Sequence, residues 1–207
     1  MSQPSHIEGK PCPRCLLTHQ CVCSLLPAIK APFHLALLTH ENELTRDTNT
    51  GQWLNKSLSS ASVHIWQRTQ LCQKLKAMLG DEQYQAYLLF PSEESQPIAD
   101  ANHQTAINNK QPLYIVLDAT WQEAKKMLRK SPWLLELPHV HINPTHDSRY
   151  QLRRNQQAGH LCTLEVGCEL LKQVGCGKQA DHLLTFFDHY MLAYKADKSG
   201  HTLKTGV

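Results

Sequence analysis

Two kinds of run alternate along this chain. Short, mainly apolar stretches at 33–38, 87–90 and 113–117, and the alternating His139-Val140-His141-Ile142, are rich in β-prone residues and read as strands, with 63–66 as a further short one. Between them the apolar residues fall at helical spacing: Trp53, Leu54 and Leu58; Leu71, Leu75, Met78 and Leu79, closed by Gly80; 121–130; 161–171; and 181–196 with Leu183, Leu184, Phe187, Met191 and Tyr194. Strands that alternate with helices predict an α/β domain, a mainly parallel sheet with helices on both faces. The polar stretch 100–110 reads as peripheral, and the tail from Lys198 as frayed.

The stretch 113–130 organises the rest. Its strand runs into Asp118-Ala119-Thr120 and then into a helix. On that helix Trp121, Ala124, Met127 and Leu128 share one side, while Lys125, Lys126, Arg129 and Lys130 cover an arc of about 140° on the other. Asp118 therefore sits at a strand's carboxyl end, where open α/β sheets bind ligands. Two more predicted strands end the same way. The first leads into the loop 39–51, where Arg46, Thr48, Asn49 and Thr50 precede Gly51 and a helix start, a combination that suits an anion. Asn49 or Thr50 also suits plain helix capping. The second leads into Pro91, Ser92, Glu93 and Glu94. In a parallel sheet the three polar loops converge on one edge.

At 207 residues and 41% hydrophobic content, the chain supports one main core plus a small appendage, divided here as residues 1–30 and 31–207. No apolar run approaches the roughly 18 residues of a membrane helix, and the polar start lacks a signal-peptide core, so a cytoplasmic protein is expected, with no membrane and no obligate protein partner. The net charge of +3 identifies no partner, but Arg149, Arg153, Arg154 and the helix at 121–130 cluster positive charge as an RNA-binding surface does. Of eight cysteines, Cys12, Cys15, Cys21 and Cys23 crowd into twelve residues. Two such thiolate pairs wrap one tetrahedral zinc ion, and a closed four-sulfur set leaves no position for substrate water, so the zinc is expected to be structural. His19, between the pairs, is a bystander. Cys72, Cys162, Cys168 and Cys176 are scattered and read as reduced thiols.

Taken in order, the motifs resemble the DTW-domain family. They are the cysteine cluster; His40-x-x-Glu43-x-x-Arg46-x-Thr48-Asn49-Thr50-Gly51; Leu89-Phe90-Pro91-Ser92-Glu93; Asp118-Ala119-Thr120-Trp121 with the helix behind it; Ser131-Pro132-Trp133; Tyr150-x-Leu152-Arg153-Arg154; and 161–165. The resemblance implies a SPOUT-like fold with a trefoil knot. It also implies an S-adenosylmethionine-dependent tRNA-uridine aminocarboxypropyltransferase, which modifies N3 of a tRNA uridine and releases methylthioadenosine. Cys162 departs from the Ser of the family pattern.

In that chemistry Asp118 is the candidate to take the imide proton or to orient the uridine, since an ordinary Asp titrates near 3.9 and needs burial to act as a base. Trp121 is a candidate wall for the adenine or sulfonium, and equally a core anchor of its helix. Thr120 completes the catalytic set. Arg46, Thr48, Asn49, Thr50, Pro91, Ser92, Glu93, Thr163 and Glu165 are the candidate cofactor contacts. Lys125, Lys126, Arg129, Lys130, Arg153 and Arg154 are the candidate RNA contacts. Two rival readings are an RNA methyltransferase using the same pocket and a non-catalytic RNA-binding zinc protein. The enzyme readings require the loop 39–51 and Asp118 to share one end of the sheet.

Overall fold

The computed structural model describes residues 10–143, 148–150, 152 and 161–203. In chain order they form β1 (His34–Thr39), α1 (Glu41–Leu44), α2 (Gly51–Ser57), β2 (Ala61–Ile65), α3 (Gln73–Leu79), β3 (Tyr84–Leu89), β4 (Gln96–Pro97), α4 (Ile98–Ile107), β5 (Gln111–Asp118), α5 (Trp121–Lys130), α6 (Pro132–Leu135), β6 (His139–His141), α7 (Thr163–Gln173) and α8 (Gly177–Lys198). The six strands make one sheet in the order β2-β1-β5-β3-β6-β4, and every pairing is parallel.

Successive residues of a strand point to opposite faces, so the apolar central strands supply two cores at once. Ala36, Leu38, Leu88, Leu113, Ile115 and Leu117 face a layer built from α3, α5 and α6. Leu35, Leu37, Tyr87, Leu89, Tyr114 and Val116 face α2, α4, α7 and α8. The cysteine segment joins this second core, with Cys12, Cys15, Leu17 and Val22 buried in it. It is tied to the body by the Thr18 and His19 backbone N–H groups, both donating to Asp197 Oδ1 at 2.7 Å.

Two expectations are corrected. The stretch 100–110 is not peripheral: most of it is helix α4, which buries Ile98, Ala101 and Thr105. Its small buried residues let it lie against the sheet, where Tyr87 donates to the Ala101 carbonyl and Tyr114 to Asn102. An Ala/Thr stripe carries too little hydrophobic signal to read as a packing face. The tail is also ordered further than expected, since α8 continues to Lys198, which pairs with Asp47 at 2.7 Å. The short elements β4, α1 and α6 had no readable period. Among the described residues no helix is long and apolar enough to cross a membrane.

A candidate active site at the carboxyl edge of the sheet

The register pairs Thr39 with both Asp118 and Ile65, so β1, β2 and β5 end level with one another. The loop after β1 thus starts beside Asp118, and the His40 N–H donates to the Asp118 carbonyl at 3.0 Å. Asp118 is 3% exposed. Its Oδ2 accepts from Thr39 Oγ1 (3.2 Å) and Asn49 Nδ2 (3.0 Å), and its Oδ1 from Thr163 Oγ1 (2.9 Å). The carboxylate therefore joins β1, the loop 39–51 and the start of α7. Gly51 closes the remaining side: a Cβ there would lie 2.6 Å from Asp118 Oδ1 and 2.7 Å from Oδ2. Burial pushes the Asp118 carboxyl above its ordinary range, and the charge of Glu43 adds to this, against the hydrogen bonds from Asn49, Thr163 and Thr39.

Asn49, one residue before the α2 N-cap Thr50, also accepts the Gln52 N–H at 2.9 Å, so it satisfies a free donor of the first turn while holding Asp118. Thr50 Oγ1 accepts the Leu164 N–H at 3.3 Å, and the Thr48 carbonyl accepts from the Tyr150 hydroxyl at 2.7 Å. These three candidate cofactor contacts thus bind the loop to α7 and to the 148–150 segment. That segment is anchored by Glu165, fully buried, which accepts from Ser148 Oγ and the Arg149 N–H, each at 2.6 Å, and from the Cys162 N–H at 2.9 Å.

Thr120 opens α5 with a capping box. Its Oγ1 accepts the Glu123 N–H at 3.3 Å, and Glu123 Oε2 accepts the Thr120 N–H at 2.9 Å. Glu123 also accepts from Asn42 at 2.7 Å and from both terminal nitrogens of Arg46 at 3.1 and 3.2 Å. Burial alone would raise the Glu123 carboxyl, but Arg46, Asn42 and Thr120 together pull it well below the usual range. Arg46 bonds the buried Glu43 as well, so two of this chain's own carboxylates share its guanidinium.

Trp121 is half-buried and stands outside the core. It faces Phe90, at the end of β3, with ring centroids 6.1 Å apart. Beyond Phe90, Pro91 and Glu93 are exposed and Ser92 is half-buried. Ser92 Oγ lies 3.0 Å from His139 Nδ1, and His139 Nε2 lies 3.1 Å from the Leu134 carbonyl. A carbonyl only accepts, so Nε2 carries the proton and Nδ1 accepts from Ser92. Lys125, Lys126 and Arg129 are exposed and Lys130 half-buried. Arg153 and Arg154 lie outside the described residues.

In the N-terminal module the Sγ atoms of Cys12, Cys15, Cys21 and Cys23 all lie within 4.8 Å of one another. The separations Cys12–Cys21, Cys12–Cys23 and Cys15–Cys21 are 3.6, 3.8 and 3.9 Å. A tetrahedron with zinc–sulfur bonds of about 2.3 Å has edges of about 3.8 Å, so the thiols fit the ion. Burial raises the Cys12 thiol, but the backbone groups of Cys15 and Arg14 and the thiols of Cys15 and Cys21 outweigh it and bring its pKa to about 6. Burial and the neighbouring thiols push Cys15 and Cys23 the other way, so the four do not all ionise readily without a cation among them.

Residues 9–195 match the DTW domain, which is nearly the whole chain. The chain belongs to the DTW-domain family. It is also 26% identical, over 187 residues covering 86% of this chain and 71% of the relative, to tRNA-uridine aminocarboxypropyltransferase 2 of Drosophila melanogaster. No solved structure matches. The DTW residues themselves divide their work: Asp118 ties the loops together, Thr120 starts α5, and Trp121 faces the rim. Sequence reasoning placed Thr39, Glu43 and Gly51 in the converging loop but gave none of them, nor Glu123, a role in this DTW site. Glu123 was readable, because Thr-x-x-Glu at a helix start is a capping box. Gly51 and Glu43 stood in the motif that carries the resemblance, but no local pattern gives either of them, or Thr39, its contact with Asp118 or Arg46.

Proposed function

We propose that this chain transfers the aminocarboxypropyl group of S-adenosylmethionine to N3 of a tRNA uridine and releases methylthioadenosine. The observation that carries the reading is the convergence on Asp118 of loop 39–51, the end of β5 and the start of α7, which builds the DTW triplet into one edge of the sheet. The name of the Drosophila relative supports the same reaction class.

When bound, the cosubstrate supplies an electrophilic carbon on a cationic sulfonium. Among the described residues, Glu43 and Glu123 outnumber the guanidinium of Arg46 that they share at this edge, and that imbalance favours a cationic ligand. Trp121 and Phe90 offer an aromatic wall that keeps water from the reacting carbon. Arg46, already shared by two carboxylates, holds α5 against the loop in this scheme rather than clamping an amino-acid carboxylate. Asp118 is enclosed and its oxygens are in use, so it positions the loops. The imide proton goes to Ser92, whose hydroxyl passes its own proton to His139 Nδ1. Lys125, Lys126, Arg129 and Lys130 take RNA phosphates, and the four-cysteine module holds a structural zinc ion. The SPOUT-like fold and its knot belong to the same proposal, supported by the all-parallel sheet and by α7 returning to Asp118 at the sheet's centre. A crystallographic trace from His141 to Thr163 checks the knot. A cytoplasmic location belongs to the same proposal, and the free cysteines are in keeping with it.

Mass spectrometry of tRNA nucleosides after incubation with the protein and S-adenosylmethionine tests the activity. Aminocarboxypropyluridine with methylthioadenosine is the expected result. S-adenosylhomocysteine instead would mean methyl transfer, and failure to bind S-adenosylmethionine would leave a non-catalytic RNA-binding protein.

A further inference from the structure

The layer of α3, α5 and α6 differs in charge from the rest of the molecule. Residues 61–80 contain Arg68, Lys74 and Lys76 and residues 124–135 contain Lys125, Lys126, Arg129 and Lys130, with no Asp or Glu in either stretch; of the acids at their borders, Glu123 is taken by Arg46, and Asp81, Glu82 and Glu136 lie beyond the ends of α3 and α6. These cations are all exposed except the half-buried Lys130. Elsewhere cations have carboxylate partners, Arg46 with Glu43 and Glu123, Arg149 with Asp188, Lys172 with Glu169 and Lys198 with Asp47, while Arg14, Lys30, Lys56, Lys110 and Lys178 have none among the described residues but are scattered rather than gathered on one layer. Among the described residues none of the seven on this layer has an ion-pair partner. An ordinary solvated surface intersperses both signs.

The tertiary structure makes one surface of these two distant stretches. Leu75 of α3 and Ala124 and Met127 of α5 lie in the same core, against the same face of the sheet. Trp66, just after β2, donates from Nε1 to Ser131 Oγ at 2.8 Å, which brings the β2–α3 loop and Arg68 to the end of α5. Trp66 also stacks on His40, with centroids 5.5 Å apart, and its N–H bonds the Thr39 carbonyl, so the surface begins at the rim of the site. Burial lowers the pKa of both His34 and His64, and the charge of Lys74 lowers them further, as an unneutralised ammonium would.

We infer that Arg68, Lys74 and Lys76 form a second phosphate-binding line beside α5, which holds the double-helical body of the RNA while the target nucleotide enters the site. The inference rests on the proposed tRNA activity. At about 1.5 Å per residue α3 and α5 run about 10 and 15 Å, a length that spans several phosphates of a duplex strand. Of the layer's tryptophans, Trp66 and Trp133 are half-buried and packed against its core rather than displayed for base stacking, and Trp121, at the head of α5, faces Phe90 at the site. Single-strand binders use exposed aromatic platforms, so this layer suits a duplex backbone.

The test compares wild-type protein with a triple variant, Arg68→Ala, Lys74→Ala and Lys76→Ala, and a second in which the same residues become Glu. Binding to full-length tRNA is measured across salt concentrations, alongside binding to a short single-stranded uridine oligonucleotide and to S-adenosylmethionine. The alanine variant should flatten the log–log salt dependence for tRNA by about 2–3 units, at about 0.9 for each phosphate left without its cation. It should also raise KM for tRNA with kcat unchanged, and the Glu variant should bind more weakly still. Oligonucleotide and S-adenosylmethionine binding should match wild type. A slope unchanged in both variants, where Lys125→Ala with Lys126→Ala does flatten it, overturns this inference alone. An equal loss for the oligonucleotide overturns the duplex assignment. A wild-type protein that binds no tRNA removes the underlying reading, and this inference with it.

Discussion

Asp118 and Gly51 show how one buried carboxylate constrains the chain around it. Three side-chain donors from separate segments converge on Asp118, and the backbone of Gly51 lies where no Cβ fits. Gly51→Ala must displace the carboxylate, and overpacking of this kind costs about 1–3 kcal/mol. A lower urea midpoint together with lost transfer activity is expected. Asp118→Asn keeps the shape but sets an amide N–H against one of the donors, so activity should fall even where the fold survives. The pH dependence follows from the raised Asp118 pKa. The folded state holds this proton more tightly than the unfolded chain, so the contribution of Asp118 to stability is greatest below about 3.9 and is lost as pH rises through the folded value. Urea unfolding of both proteins from pH 4 to 7 should show wild type losing stability relative to Asp118→Asn as pH increases. The opposite slope would mean that the three donors outweigh burial.

At the scale of an element, α5 is set by its first turn. The Thr120–Glu123 box satisfies free N–H groups, and Glu123 extends the tie to Arg46 and Asn42 on the neighbouring loop. Thr120→Ala should cost about 1 kcal/mol, and Thr120→Ser much less, as read by thermal unfolding. Glu123 behaves in the opposite sense to Asp118. Its pKa is lower when folded, so its stabilisation is present above about 4.3 and is lost as pH falls through the folded value. Relative to Glu123→Gln, wild type should gain stability as pH rises toward 4.3 from below. For Trp121, replacement by Phe should preserve more activity than replacement by Ala with little change in stability, because the ring faces Phe90 rather than the core. A large loss of stability in Trp121→Ala would return it to a packing role.

Across the whole molecule, the cysteine module and the site share α2. The Ile29 N–H bonds the Ser57 carbonyl at 2.8 Å, Lys56 Nζ bonds the Arg14 carbonyl at 2.6 Å, and the same helix begins at Gly51 against Asp118. Loss of a metal held there would reach the site through α2, and through α8, where Asp197 holds Thr18 and His19 and Lys198 pairs with Asp47 of the loop. Purified protein should carry close to one equivalent of zinc, and Cys12→Ser less than about half. Chelation should lower the melting temperature by about 5 °C or more, since a domain of this size shifts about 2–4 °C for each kcal/mol. Equal melting curves with and without chelator would make the four thiols a mere coincidence of packing.

How much of this was legible beforehand depended on how local each cause is. Strand and helix periods, the α5 basic face and the paired cysteines arise from neighbours a few residues apart, and the chain alone determined them. The Trp121–Lys130 helix was read to its ends because its amphipathic period is strong. Helix α4 was misread because its small buried residues, Ala101 and Thr105, give too weak an apolar signal among polar neighbours. Only the folded molecule decided the strand order that sets Thr39 against Asp118, 79 positions further along the chain. It alone decided that Arg46 is taken by Glu123, and that Trp66 brings Arg68 beside α5. The reason is physical: hydrogen bonds and charge pairs between distant segments depend on crossovers of the sheet, and no local pattern of residues encodes their register.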